Sequence, residues 1–256
     1  MIPMTKIAKF LLAAATMITF VGCASTSAPN ADPWEGLNRG TFAVNEAIDK
    51  AVLTPVAKGY NAVTPTFFRS GVSNAFGNIN DVGTGVNNLL QGKPGNALSD
   101  FGRVLVNSTL GILGLFDVAS PMGLDKNNED FGQTLGKWGV ASGPYVVLPL
   151  LGPSTVRDTI GRVPDRYTSY SRYVEHVATR NSLQGLDIIR IRAELLATTK
   201  TLDEAALDKY QFLRDAYLQR RLNQVYDGKV PQAMRDKLEA DLEPPGAAAP
   251  APSARK

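Results

Sequence analysis

Few residues in this 256-residue chain could make or break a bond. The single histidine is His176, in Arg172-Tyr173-Val174-Glu175-His176, and a serine hydrolase would have to use it as its base. No Gly-x-Ser-x-Gly elbow is present, and Ser154 in Gly152-Pro153-Ser154 does not form one. His176 reads as a solvated or packing side chain at an exposed helix position. Gly83-Thr84-Gly85 and Gly92-Lys93 are too short to cradle a dinucleotide or a nucleotide phosphate. The run Asp125-Lys126-Asn127-Asn128-Glu129-Asp130 starts like a calcium loop. It then carries Asp130 where the loop needs glycine and Gly136 where it needs a closing glutamate, so it reads as a solvated loop. Arg214, Arg220 and Arg221 offer a headgroup or partner patch, or a wet helix face. No enzyme, metal or cofactor is called for. The remaining reactive side chain is Cys23.

That cysteine follows an export signal. Lys6 and Lys9 supply the positive region, and Phe10 to Val21 form an apolar run broken only by Thr16 and Thr19. The run is too short for a spanning anchor. Gly22-Cys23-Ala24 then resembles the bacterial lipobox, in which the cysteine is acylated and becomes the first mature residue. By the same resemblance, Ala24 directs the protein to the outer membrane of a Gram-negative cell. Each buried acyl methylene contributes about 0.8 kcal/mol, so several chains tether a protein durably. Removing Lys6 and Lys9 leaves 25 basic against 24 acidic residues, without the basic excess that nucleic-acid binding by phosphate neutralisation needs. With one cysteine and one histidine, neither a disulfide framework nor a Cys- or His-rich metal site can be built.

The elements that would position any site are helical. Residues 1–22 are the signal, 23–31 a short acylated leader, 32–228 the helical domain and 229–256 a C-terminal extension. Asp32-Pro33-Trp34-Glu35 reads as a helix start, with Asp32 as N-cap, Pro33 in the first turn and Glu35 at N3. Trp34, Leu37, Thr41, Val44 and Ile48 follow at helical spacing to about Asp49. A second helix runs from Arg69 to Leu90, with apolar residues at steps of three and four. Gln91 to Gly95 turns the chain, and a third helix starts near Asn96. Two more cover Leu183–Leu196 and Asp203–Tyr226, the latter with a Thr201/Glu204 capping box and Gly228 as its stop. The Pro- and Ala-rich residues 243–256 read as a disordered tail. No stretch alternates with period two, so the fold class is all-α, with little or no β.

The middle departs from this pattern. Val104 to Phe116 and Trp138 to Val156 contain no charge, and the second holds Pro144, Pro149 and Pro153 with Gly139, Gly143 and Gly152. So many breakers oppose a continuous spanning helix. The segment reads either as a hairpin in a soluble core or as an element lying in one leaflet, shielded by protein.

Several of these segments together resemble the VacJ/MlaA family of outer-membrane lipoproteins. The likeness begins at Asp32-Pro33-Trp34-Glu35-Gly36-Leu37-Asn38-Arg39 with Phe42 and Asn45. It returns at Asn87-Asn88-Leu89-Leu90-Gln91-Gly92-Lys93 and at Arg103 to Gly111. The longest run is Glu129 to Gly136, Trp138-Gly139-Val140, Gly143-Pro144-Tyr145, Leu148-Pro149, Gly152-Pro153-Ser154 and Arg157-Asp158. Ile191 to Leu196 and Asp215-Ala216-Tyr217 close it.

The resemblance implies a ring-like bundle of amphipathic helices held in the outer membrane, on its periplasmic side, often beside trimeric porins. A central amphiphilic channel would take phospholipid misplaced in the outer leaflet and pass it to a soluble periplasmic carrier of the MlaC type. Lipid asymmetry would be maintained in this way without any enzyme chemistry. On that reading Asn38, Arg39, Phe42 and Asn45 either line a polar pore or clamp a neighbouring loop. Gly139 and Gly143 are either hinges of a gating loop or tight turns set by packing. Two rivals stand beside it: a structural envelope lipoprotein without transport activity, and a lipid hydrolase using His176.

Overall fold

The computed structural model describes residues 31–242, so the signal, Cys23, nearly all of the leader and the 243–256 tail lie outside the described residues. Helix α1 spans Glu35–Ile48 and passes through a π-helical turn, Asp49–Leu53, into α2, Thr54–Val63. Pro65 ends that run by holding the preceding backbone extended, with Thr64 at ψ 116°. The long helix α3 (Thr66–Leu90) and α4 (Pro94–Thr109) form a hairpin around Gly92, whose φ of +75° suits the turn. A loop leads to the short α5, Phe131–Lys137, capped by the Asp130 carboxylate, which accepts from the Gln133 amide. Strands β1 (Tyr145–Leu148) and β2 (Gly152–Thr155) pair antiparallel, Tyr145 opposite Thr155 and Leu148 opposite Gly152. Helices α6 (Val156–Thr168), α7 (Val177–Ala205), α8 (Lys209–Val225) and α9 (Gln232–Leu242) complete the order.

The packing forms a closed circuit. Helix α2 lies on α7, α7 touches α3, α3 meets α5 and α6, α5 meets α8, α8 meets β2, and β1 lies on α1, which leads back to α2. This is the ring-like helical arrangement expected, with one small β-hairpin in the Gly/Pro-rich segment. Tyr145, Val147, Ser154 and Thr155 are buried at the hairpin base, while Leu150 and Leu151 stand exposed at its tip.

Three local expectations are corrected. Asp32 does not cap α1; Trp34 occupies that position without a side-chain bond. Asp32 instead accepts from the Asn38 amide at 2.7 Å and from the Tyr210 hydroxyl. Thr201 and Glu204 form no capping box, because α7 continues through both. The stretch between them holds no breaker, and α8 begins only after Asp208, whose side chain accepts from the Gln211 amide. His176 is exposed as expected but stands at the N-cap of α7 and not within the helix, its Nδ1 accepting from the Thr179 amide. The C-terminal extension also carries the helix α9.

Candidate functional site

The interior is polar. Among the described residues, nearly twice as many polar as apolar side chains are buried. On α3 the inward row is Asn78, Asp81, Thr84, Asn87 and Asn88, and on α4 it is Asp100, Arg103 and Asn107. The apolar rows of the same helices face out: Ile79 and Leu89 on α3, and Leu98 and Leu105 on α4. Leu113, in the loop after α4, is 79 % exposed while Arg103 is 1 % exposed. A protein folded in water alone would place these residues the other way round.

Buried charge of this kind is tolerable only when every group is paired. Arg103 Nε donates to Asp81 (3.2 Å), Nη2 to Asp117 (3.1 Å), and Nη1 to Ser120 Oγ (2.9 Å) and the Leu124 carbonyl (2.8 Å). Lys126 Nζ reaches the other Asp81 oxygen at 2.8 Å. Asn107 Oδ1 accepts from the Val118 and Ala119 amides, folding the 110–124 loop back over α4. In that loop Ile112 and Leu113 are held at φ +52° and +56°.

These groups line a cavity of about 590 Å³ between α3, α4, the 117–128 loop and Arg190 and Glu194 of α7. It shares Ser73, Asn74, Arg190 and Glu194 with a second cavity of about 420 Å³ beside Tyr60 and Arg69. It shares Asn128 with a third of about 310 Å³ beside Arg162 and Arg220. Through these shared residues the three cavities neighbour one another as a track lined mostly by polar side chains. Asn78 Oδ1 and the Tyr60 hydroxyl, both in its wall, are buried without a partner among the described residues.

At one end of the track an ionic cluster ties α5, α6 and α8 together. Arg221 donates to Asp158 through Nε (2.9 Å) and Nη2 (2.8 Å), and to Asp130 through Nη1 (2.6 Å). Arg157 and the Tyr217 hydroxyl complete the Asp158 shell. Burial pushes the Asp130 and Asp158 carboxyls up, but the Arg221 hydrogen bonds and charge outweigh it and hold both below the usual carboxylate range. Arg214 and Arg221 are therefore buried structural cations and not a wet face; only Arg220 is exposed. The 125–130 run is also not a free solvated loop. Its Lys126, Asn127, Glu129 and Asp130 are bonded to Asp81, Asp100, Lys93 and Arg221.

The α1 residues come together on the β-hairpin. Asn38 Nδ2 donates to the Tyr145 carbonyl (3.1 Å), and its Oδ1 accepts from the Val147 amide (2.8 Å). Asn45 repeats the pattern two turns later, with Nδ2 on the Leu148 carbonyl (2.9 Å) and Oδ1 accepting from Leu150 (2.8 Å). Each amide thus serves the edge of β1 as a neighbouring strand would. Arg39 pairs with Glu35 and Asp208 and lies 4.4 Å over the Tyr210 ring, which Phe42 meets edge-on. None of the four borders these three cavities. Gly139 (φ +90°) follows α5, and Gly143 (φ +68°) precedes β1, where an added Cβ would come 3.1 Å from Val156.

Ser154 is fully buried, with its Oγ near Thr159 Oγ1, and His176 is engaged with Thr179. The two form no pair. The inward polar rows were the signal that sequence reasoning passed over: Asn78, Asp81, Thr84 and Asn88 recur at helical steps as regularly as the apolar residues do.

A closed circuit of helices with a polar interior and outward-facing apolar residues suits a class of protein seated in lipid. No helix among the described residues is long and apolar enough to cross a membrane. The model of the MlaA lipoprotein family matches residues 30–224. The intermembrane phospholipid transport system lipoprotein MlaA of Haemophilus influenzae is 32 % identical over 248 residues, covering 93 % of this chain and 98 % of that one. The protein of the same name from Escherichia coli is 34 % identical over 209 residues, covering 78 % and 82 %. A solved structure from work on the maintenance of bacterial outer membrane lipid asymmetry superposes with a TM-score of 0.68 at 34 % identity, covering 76 % of this chain and 98 % of that one. The chain belongs to the MlaA family of outer-membrane lipoproteins.

Proposed function

We propose that the chain removes mislocalised phospholipid from the outer leaflet of the outer membrane and hands it to a soluble periplasmic carrier of the MlaC type. The observation that carries this reading is the inverted burial: apolar residues face outward along α3 and α4 while the bore is polar. A phospholipid headgroup could pass along the polar track while its tails stay in the apolar surround, so neither part loses its solvent. No bond need be broken. Cys23 would anchor the ring, and the apolar exterior leaves a surface for a trimeric porin. Gly139 and Gly143 act as hinges of the segment carrying the hairpin, whose far side α1 clamps. The test is reconstitution of the full-length acylated chain in vesicles containing fluorescent phospholipid, with a soluble MlaC-type carrier added. The chain should raise transfer to the carrier several-fold over protein-free vesicles; equal transfer would overturn the reading.

A further inference from the structure

The apolar surface of this protein is unevenly spread. From Leu213 to Leu242 no leucine, valine, methionine or tyrosine is exposed, in contrast to α3, α4 and the loop after them. This part of α8 together with α9 therefore presents a polar outer surface suited to water. Beneath it lies a cavity of about 610 Å³, a size common among ligand sites, walled by Val140, Pro144, Leu218, Leu222, Val225 and Leu238. Unlike the three cavities of the polar track, its lining is mainly apolar. Arg221 stands in the wall of both this cavity and the polar one beside Arg220, so the ionic cluster on α8 is the partition between them.

We infer that this cavity holds an acyl chain of a glycerophospholipid that has left the bilayer, with the amine-bearing zwitterionic headgroup on α9. The inference rests on the phospholipid reading above and adds a second site to it. A tail still in the membrane needs no cover from protein, whereas a tail passing the water-facing end does. The rim supplies matching charges. Lys237 and Asp241 lie four residues apart on α9 and both border the cavity. Lys237 is exposed, with no partner among the described residues. Asp241 Oδ1 is buried and also unpartnered. A lysine and a carboxylate left unpaired at this spacing suit a phosphate and an ammonium carried by one ligand. Gly139 and Gly143 both border the same cavity, so movement of their segment would change its width.

The probe is phosphatidylethanolamine with a diazirine at the end of one acyl chain, placed in phosphatidylethanolamine–phosphatidylglycerol vesicles with the full-length acylated protein. Photolabel should fall on residues 139–144 and 218–226. It should drop at least several-fold in Ala141→Trp and Leu222→Trp, which fill the cavity. Lys237→Glu, at an exposed position that folding does not depend on, should lower labelling as well. Label elsewhere, or label indifferent to all three changes, would overturn the inference. So would label that enters the cavity only in Cys23→Ala, since the space would then belong to the protein's own anchor. Outer-leaflet phospholipid in the same strains separates the two claims. Clearance by the unmodified chain without label in the cavity refutes the second site alone, whereas no clearance refutes the phospholipid reading itself.

Discussion

Single side chains hold this ring together by completing the hydrogen bonds of others. Asn38 is 2 % exposed and bridges Asp32, the Tyr145 carbonyl and the Val147 amide. Asn38→Ala removes the side-chain partner of the Tyr145 carbonyl and the Val147 amide and should cost about 3 kcal/mol, measured by denaturant unfolding. Asn45→Ala, at a partly exposed position, should cost about 1 kcal/mol. Arg221→Leu takes the shared cation from buried Asp158, which keeps Arg157 and Tyr217, and from half-exposed Asp130, and should cost about 1.5–3 kcal/mol. The same cluster sets a pH dependence. Asp130 and Asp158 bind protons less readily in the folded chain than in the unfolded one. Their stabilisation is therefore complete above the ordinary carboxylate range, near pH 4, and is lost as pH falls through their lower folded values. Asp158→Asn should flatten the stability profile between neutral and acid pH; an unchanged slope would exclude this carboxyl as its source. The residue types in these contacts were legible, and Asn38, Arg39, Phe42 and Asn45 were singled out together. Their partners were not, because β1 lies about a hundred residues further along the chain.

At the scale of elements, close backbone approach decides the packing. Where α5 meets α6, a Cβ on Gly161 would come 2.5 Å from the Gly132 amide nitrogen. Gly161→Ala must push the helices apart and should cost about 1–3 kcal/mol by overpacking. Gly59→Ala in α2 meets nothing within 4 Å and should instead stabilise by about 0.5–1 kcal/mol, since alanine suits a helix interior better. Thermal or denaturant midpoints of the two variants read this contrast directly. The hinge proposal is tested separately with Gly139→Ala and Gly143→Ala, each at positive φ and so each carrying about 1–2 kcal/mol of backbone strain. Slower lipid clearance by folded double variant supports hinging; clearance at the normal rate would sink it. Both ends of α3 and the start of α4 were readable from apolar spacing to within three residues. Which face points inward was not, because periodicity gives an amphipathic helix the same signature in water and in lipid. The α7–α8 boundary was misplaced since Thr201 and Glu204 mimic a cap that tertiary contacts override: Arg39 reaches across to Asp208, which caps α8.

For the whole molecule, the inverted interior, the closed circuit of helices and the membership in the MlaA family converge on lipid handling at the outer membrane. The ring shape came from family resemblance, whereas the track depends on pairings such as Arg103 with Asp117 and Arg190 with Glu194 that appear only in three dimensions. The most direct measurement is the phospholipid exposed in the outer leaflet of cells lacking the chain, compared with cells restored by the wild-type protein and by Cys23→Ala. The account predicts that phospholipid accumulates on deletion, is cleared by wild type and is not cleared by Cys23→Ala. An outer leaflet unchanged by deletion would contradict it and leave a bracing lipoprotein as the better description.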